Sequence, residues 1–173
     1  MSTNSEDKEP VFGVLFHGSP QQLLSLKPAP SRVLKGDAVV FATHCRWLAL
    51  VFAAHTSDDD LDFGFYNGIP YIAEKRPYAF GILHKGGYIH TVSAAGFTKD
   101  KRLGMVNHEF INQNEVPVLD HEYIPSIISA LEKYDYHVLM VDFDEHEMFV
   151  HCQSHLDFFD RSKKSKYAKK MNK

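Results

Sequence analysis

The stretch Tyr78-Ala79-Phe80-Gly81-Ile82-Leu83-His84-Lys85-Gly86-Gly87-Tyr88-Ile89-His90-Thr91-Val92 decides the fold class. Two short apolar runs, Tyr78 to His84 and Tyr88 to Val92, flank Lys85-Gly86-Gly87. Adjacent glycines supply the backbone freedom of a tight reversal, so the stretch predicts a β-hairpin. Upstream, the chain from Phe63 reads as strands broken at Gly68-Ile69-Pro70 and Arg76-Pro77. Val11 to Phe16 is a short apolar strand, stopped by His17-Gly18-Ser19-Pro20. Lys27 to Asp37 holds two prolines and a glycine and reads as loop. Ala38 to Thr43 is a continuous apolar strand, which implies burial on both faces. Thr43 then caps a helix over Cys45 to His55, with Trp47, Leu50, Val51 and Ala54 on its buried face.

Downstream, Met105 to Ile111 and Val116 to His121 read as strands, and Ser126 to Tyr134 as a helix. Val138 to Phe143 is another buried strand, and a last helix starts near Gln153. Helices set apart from many short strands, without βα alternation, predict an α+β fold with a mostly antiparallel sheet. Trp47, Leu50, Val51, Phe52, Phe80, Ile82, Ile89, Leu139 and Val141 form the expected core.

The 173 residues suit one domain, and 44% hydrophobic with 24% charged residues is ordinary globular composition. Thirteen Phe and eight Tyr can fill a core and still leave rings for a ligand pocket. The longest apolar run, Trp47 to Ala54, is far too short for a membrane span, so no membrane partner is expected. Met1 to Pro10 is polar and acidic, has no signal-peptide core and reads as a disordered leader. Cys45 and Cys152 form no CxxC pair, so reduced thiols and a cytoplasmic location are expected. The domain proper then covers residues 11–160. The net charge of −3 hides an asymmetry: residues 161–173 carry seven Lys or Arg and no acid, which leaves −10 on the rest. Such a tail is either a solvated, frayed end or a sequence-independent contact for polyanions.

Eleven histidines invite a metal reading. His146 and His151, around Glu147, stand at i, i+5, which splits them between the faces of a helix or strand. HExxH zinc sites need i, i+4, so no metal is expected. Cys45 at a helix start has the setting of an activated thiol or of a small buried residue. No glycine-rich phosphate loop is present. His17 followed by Gly18 places an imidazole at a strand end, where a missing side chain lets a ligand reach the backbone. The same pair also suits a solvated strand end.

Leu15-Phe16-His17-Gly18-Ser19-Pro20, Leu26-Lys27-Pro28, Val40-Phe41-Ala42-Thr43 and a helix with Ala49, Phe52 and Ala53 together resemble the start of the ADP-ribosyltransferase-like superfamily. More narrowly, they look like small bacterial and phage members related to RNA 2′-phosphotransferases and rifampin-type ADP-ribosyltransferases. Gly87-Tyr88-Ile89-His90, His108-Glu109-Phe110-Ile111 and Val116-Pro117-Val118 resemble the closing strands, so the likeness spans roughly residues 12–135.

The resemblance implies a split antiparallel sheet, flanking helices and NAD as co-substrate. It assigns His17 to a ribose hydroxyl, the Gly18 backbone to the nicotinamide carboxamide, and Phe41 to the aromatic position. Ser19 and Thr43 fall among the NAD-contacting positions. Glu109 matches the catalytic carboxylate, which bonds the nicotinamide ribose and stabilises the oxocarbenium-like state, an anion aimed at developing positive charge. Glu115 and Glu122 compete for that assignment. Two residues before Glu109, where transferases to protein often carry Glu or Gln, stands Asn107. The acceptor, protein or nucleic acid, stays open. Three functions are compatible: ADP-ribosyl transfer or NAD hydrolysis, an inactive nucleotide- or protein-binding module, and an RNA-end enzyme of the 2′-phosphotransferase kind. The last would grip phosphate through arginines such as Arg32, Arg46 and Arg76.

Overall fold

Strands β1 (Val14–Ser19) and β7 (Gly87–Ser93) run antiparallel, paired without interruption from Val14↔Ser93 to Ser19↔Tyr88. They form the centre of the fold in a computed structural model that describes residues 12–54, 56–57, 59–105, 107–141, 152–164 and 169–170. Around them lie β2 (Ser25–Leu26), β3 (Ala29–Pro30), β4 (Ala38–Thr43), β8 (Glu109–Asn112) and β9 (Val116–Ile124). Together they make a seven-stranded sheet in the order β2-β9-β7-β1-β4-β3, with β8 on β4. A second sheet joins β5 (Leu61–Tyr66), β6 (Ile69–Glu74), β10 (His137–Met140) and β11 (Lys169–Lys170). Its β6–β10 pair is the one parallel ladder among the described residues, so the molecule is an α+β fold with a mostly antiparallel sheet.

Helix α1 (Arg46–Ala53) lies between the two sheets. Burial is not confined to one stripe: Leu48, Ala49 and Ala53 are as buried as Trp47, Leu50 and Val51. A helix apolar all round is one enclosed on all sides. Leu61, Phe63 and Ile72 cover it from the second sheet, and Ile89 covers it from the first. Two glycines bring it down onto the strands. A Cβ on Gly18 would overlap the Ala49 carbonyl oxygen and stand 2.7 Å from Ala53 N. One on Gly87 would collide with the Ala53 carbonyl. The missing side chain of Gly18 is therefore used by the helix, whereas the sequence suggested a ligand.

The Gly86-Gly87 pair is also a packing device and not a hairpin turn. Tyr78 to His84 is no strand: a 3₁₀ helix covers Ala79–His84, and a Cβ on Gly86 would stand 2.7 Å from Ile124 O. Tyr78 takes a left-handed conformation (φ 64°) that breaks the chain after Pro77. Ala79, Phe80 and Leu83 then turn into the core around α1. Phe80 N donates to the buried Glu74 carboxylate at 3.1 Å, and Val141 N donates to its other oxygen at 3.3 Å. The real hairpin joins β5 and β6 through Asn67 (φ 51°) and Gly68 (φ 77°), a pair suited to the tightest turns. Pro70, read as a strand break, lies inside β6 opposite Phe65.

Helix α2 (Ile127–Leu131) closes one end of the central core, and helix α3 (His155–Lys164) seals the second sheet with Phe158 and Phe159. The helix runs past the expected domain boundary at residue 160, with Ser162 fully buried and Lys163 Nζ 4.4 Å from the centre of the Tyr66 ring. Of the expected tail, Lys169–Lys170 pair with β10, and residues 165–168 and 171–173 lie outside the described residues, as does the 1–10 leader. Among the described residues no helix is long and apolar enough to cross a membrane. Of the expected core, Phe52 and Ile82 are half-buried, and the other residues named are buried.

Gly18→Ala is expected to cost more than about 3 kcal/mol, the upper end for an overpacked core, because the obstacle is helix backbone and cannot rotate away. Gly13→Ala, with nothing within 4 Å of the added methyl, is the matched control. Urea denaturation of the two variants checks the difference.

Candidate functional site

Strands β1 and β4 share a single register pair, Phe16↔Thr43, and part beyond it. At the parting the His17 Nδ1–H donates to the Phe41 carbonyl at 2.8 Å. A carbonyl only accepts, so this bond fixes the tautomer and makes Nε2 the basic ring nitrogen. Burial lowers the His17 pKa more than the bond raises it, which keeps the ring neutral.

The parting opens a cavity of about 560 Å³. Its wall includes all six residues singled out from the sequence: His17, Gly18, Ser19, Phe41, Thr43 and Glu109. Glu115 and Glu122 are not in the wall. Glu115 accepts from Ser25 on the far edge, and Glu122 pairs with Arg46.

Glu109 owes its place to β8. Thr43 and Glu109 are register partners, as are Phe41 and Ile111, so Phe41, Thr43 and Glu109 share one face. With Phe16 opposite Thr43, the row Phe16–Thr43–Glu109 crosses three strands. The strand begins at Glu109 and not at Met105, because His108 N and Glu109 N both donate to Met105 O, at 2.8 and 3.0 Å, in a tight turn. Glu109 is 8% exposed, and its side chain has no hydrogen-bond partner among the described residues. Burial pushes its carboxyl up to about 7, against the opposing influence of the nearby His155. A carboxyl that changes charge near neutral pH inside a cavity is a candidate for catalysis.

Thr43 does not cap α1 directly; its hydroxyl accepts from Cys45 N at 2.9 Å, one residue ahead of the helix. Cys45 is a free thiol whose pKa burial raises, so it is no activated nucleophile. Among the described residues no cluster of His, Cys, Asp and Glu could hold a metal ion, and His146 to His151 lie outside them.

Two further wall residues carry basic side chains: Arg32, which the sequence offers as a phosphate contact, and His155, which it does not single out. Arg32 comes from the Ser31–Asp37 turn, closed by Ser31 N to Asp37 O at 3.0 Å and Gly36 N to Ser31 O at 2.8 Å. It is exposed, with no ion-pair partner among the described residues. Arg46 and Arg76 are outside the wall, paired with Glu122 and Asp60. His155 reaches the cavity from α3, its Nδ1 bonded to Asp62 on β5. His155 has no local signal in the sequence, since its place depends on chain segments meeting from a distance.

Scans of the chain against protein-family models and curated proteins, and of the fold against solved structures, find no match.

Folding raises the Glu109 pKa from 4.5 to about 7, so the folded state holds this proton more tightly than the unfolded chain. The resulting stability is complete below the unfolded value and is lost as pH rises through the folded one. Glu109→Gln, neutral throughout, is expected to be more stable than the parent near pH 8 by on the order of 2–3 kcal/mol at most. The advantage should fade towards pH 5, where both side chains are close to uncharged. Denaturation curves at the two pH values check this; equal differences at both would deny that ionisation is the cause.

Proposed function

We propose that the cavity binds NAD and that the protein cleaves its nicotinamide–ribose bond, passing ADP-ribose to an acceptor or to water. The observation that carries this reading is the Glu109 carboxylate, buried without a hydrogen-bond partner among the described residues, in the same wall as His17 where β1 and β4 part. Nicotinamide leaves with the bonding electrons, and positive charge develops on the ribose. A carboxylate with little water around it stabilises that charge far more than one in bulk solvent. The neutral His17 ring supplies Nε2 as acceptor for a ribose hydroxyl. Gly18 offers backbone groups to the carboxamide, Phe41 a ring to stack on nicotinamide, and Arg32 a cation for the pyrophosphate. Ser19 and Thr43 complete the polar part of the wall. The divergence of β1 from β4 supports placing the fold with the split sheets of the ADP-ribosyltransferase-like superfamily. Two free thiols suit the cytoplasm, where NAD is abundant.

An RNA-end enzyme is less well supported. Of the three arginines available for phosphate, Arg32 alone lines the cavity, and Arg46 and Arg76 are engaged elsewhere.

The test is nicotinamide release from NAD. Glu109→Ala is expected to slow it by about 10²–10³-fold with binding largely kept, because the carboxylate acts mainly on the transition state. His17→Ala should weaken binding instead. The parent rate should climb with pH through about 7, as Glu109 ionises. Full turnover by Glu109→Ala would remove the catalytic assignment. A parent that binds NAD without cleaving it would indicate the binding module.

A further inference from the structure

Breaking the bond to nicotinamide is half of a transfer. The incoming water or hydroxyl must also lose a proton, and Glu109, occupied with the ribose, is poorly placed to take it. Asn107, two residues earlier, is exposed and outside the cavity wall. The wall holds another proton acceptor, His155. Its Nδ1–H bonds Asp62 Oδ1, which makes Nε2 the basic nitrogen of the ring. Asp62 is 5% exposed, and its second oxygen accepts from the Tyr71 hydroxyl at 2.9 Å. Tyr71, fully buried, fixes the carboxylate, and the carboxylate fixes the imidazole. The ring stands beside Gly104, another wall residue: a Cβ there would lie 3.3 Å from His155 Cδ2 and 3.7 Å from Nε2. A carboxylate–histidine pair of this kind is the arrangement that activates hydroxyl nucleophiles.

We propose that His155, oriented by Asp62, is the general base for the acceptor, and that the acceptor nucleophile is a hydroxyl group or water. This rests on the NAD reading above. The acceptor oxygen forms a bond to the ribose carbon as the carbon–nitrogen bond to nicotinamide breaks, and the electron pair of that bond neutralises the pyridinium nitrogen. The hydroxyl proton passes to His155 Nε2. The imidazolium, stabilised by Asp62, then gives it up to solvent, which reaches the ring because the side chain is 45% exposed. The products are ADP-ribosylated acceptor, nicotinamide and one proton. Glu109 and His155 thus divide the work, one serving the developing cation and the other the nucleophile.

The experiment compares parent and His155→Gln in releasing nicotinamide from NAD with water, methanol or azide as nucleophile. Azide is already an anion and needs no base. His155→Gln is expected to lose about 10²–10⁴-fold with water and methanol, the usual worth of a general base, and to stay within several-fold of the parent with azide. Equal losses with all three nucleophiles, or no loss with water, would overturn the proposal. A second measurement needs no turnover. Nitrogen-resolved NMR should find the His155 proton on Nδ1. A proton on Nε2 overturns the proposal as well. If the parent leaves NAD intact, the NAD reading fails and takes the base assignment with it, whereas a parent that cleaves NAD with equal losses for His155→Gln on all three nucleophiles removes the base assignment alone.

Discussion

The ladder between β1 and β4 stops after Phe16↔Thr43, and the imidazole of His17 takes over where the backbone bonds leave off. That substitution governs the rest of the site. If the ladder continued, the sheet would be closed and the cavity filled by strand. If nothing replaced it, the Phe41 carbonyl would be left wanting a partner beside an apolar wall, at a cost of roughly 1–3 kcal/mol. The imidazole satisfies the carbonyl and still presents a second nitrogen, so one side chain both props the sheet open and equips the opening. The neighbouring strand helps hold it. His90 on β7 pairs with His17, is fully buried, and bonds His17 O at 3.3 Å while accepting from Leu23 N at 2.9 Å. Both ring nitrogens of His90 are thereby committed, which leaves it a structural residue.

The second sheet supplies the side of the cavity where Asp62 holds His155. β5 carries Asp62 and β6 carries Tyr71, in a hairpin that α3 covers. The cavity is thus assembled where two sheets face each other across α1. Its residues come from the first twenty positions and from past residue 150 alike. Buried carboxyls on both sides, Glu109 and Asp62, have pKa values raised by burial, and each is near His155. Burying such a cluster costs stability, since each ionised form loses its hydration.

Much of this was legible in the sequence where local pattern and tertiary outcome agree. Ala38–Thr43 is unbroken and apolar, and it is a strand with those ends. His17, Phe41 and Glu109 were singled out by motif, and the structure sets them in one wall. Legibility failed where the same pattern serves two structures. The apolar run from Tyr78 to His84 suits a strand as well as a 3₁₀ helix, and only the left-handed Tyr78 and the Glu74 carboxylate decide between them. The smallness of Gly18 suggests space for a ligand, but in the fold it is space for a helix. His155 and Asp62 stand far apart in the chain and carry no motif, so their meeting is a property of the packed molecule alone.

The contact between α1 and the strands has a consequence for how the molecule tolerates change. At Gly18 and Gly87 the helix backbone rests on strand backbone with no side-chain layer between. Spacing set in this way does not depend on which apolar residues fill the surrounding core. Exchanges of similar volume at Leu48, Leu50 or Val51 would be absorbed by repacking and leave the position of β1 unchanged. The cavity wall that β1 carries is therefore insulated from drift in most of the core, and its evolutionary fragility is concentrated in two residues that have no side chain at all.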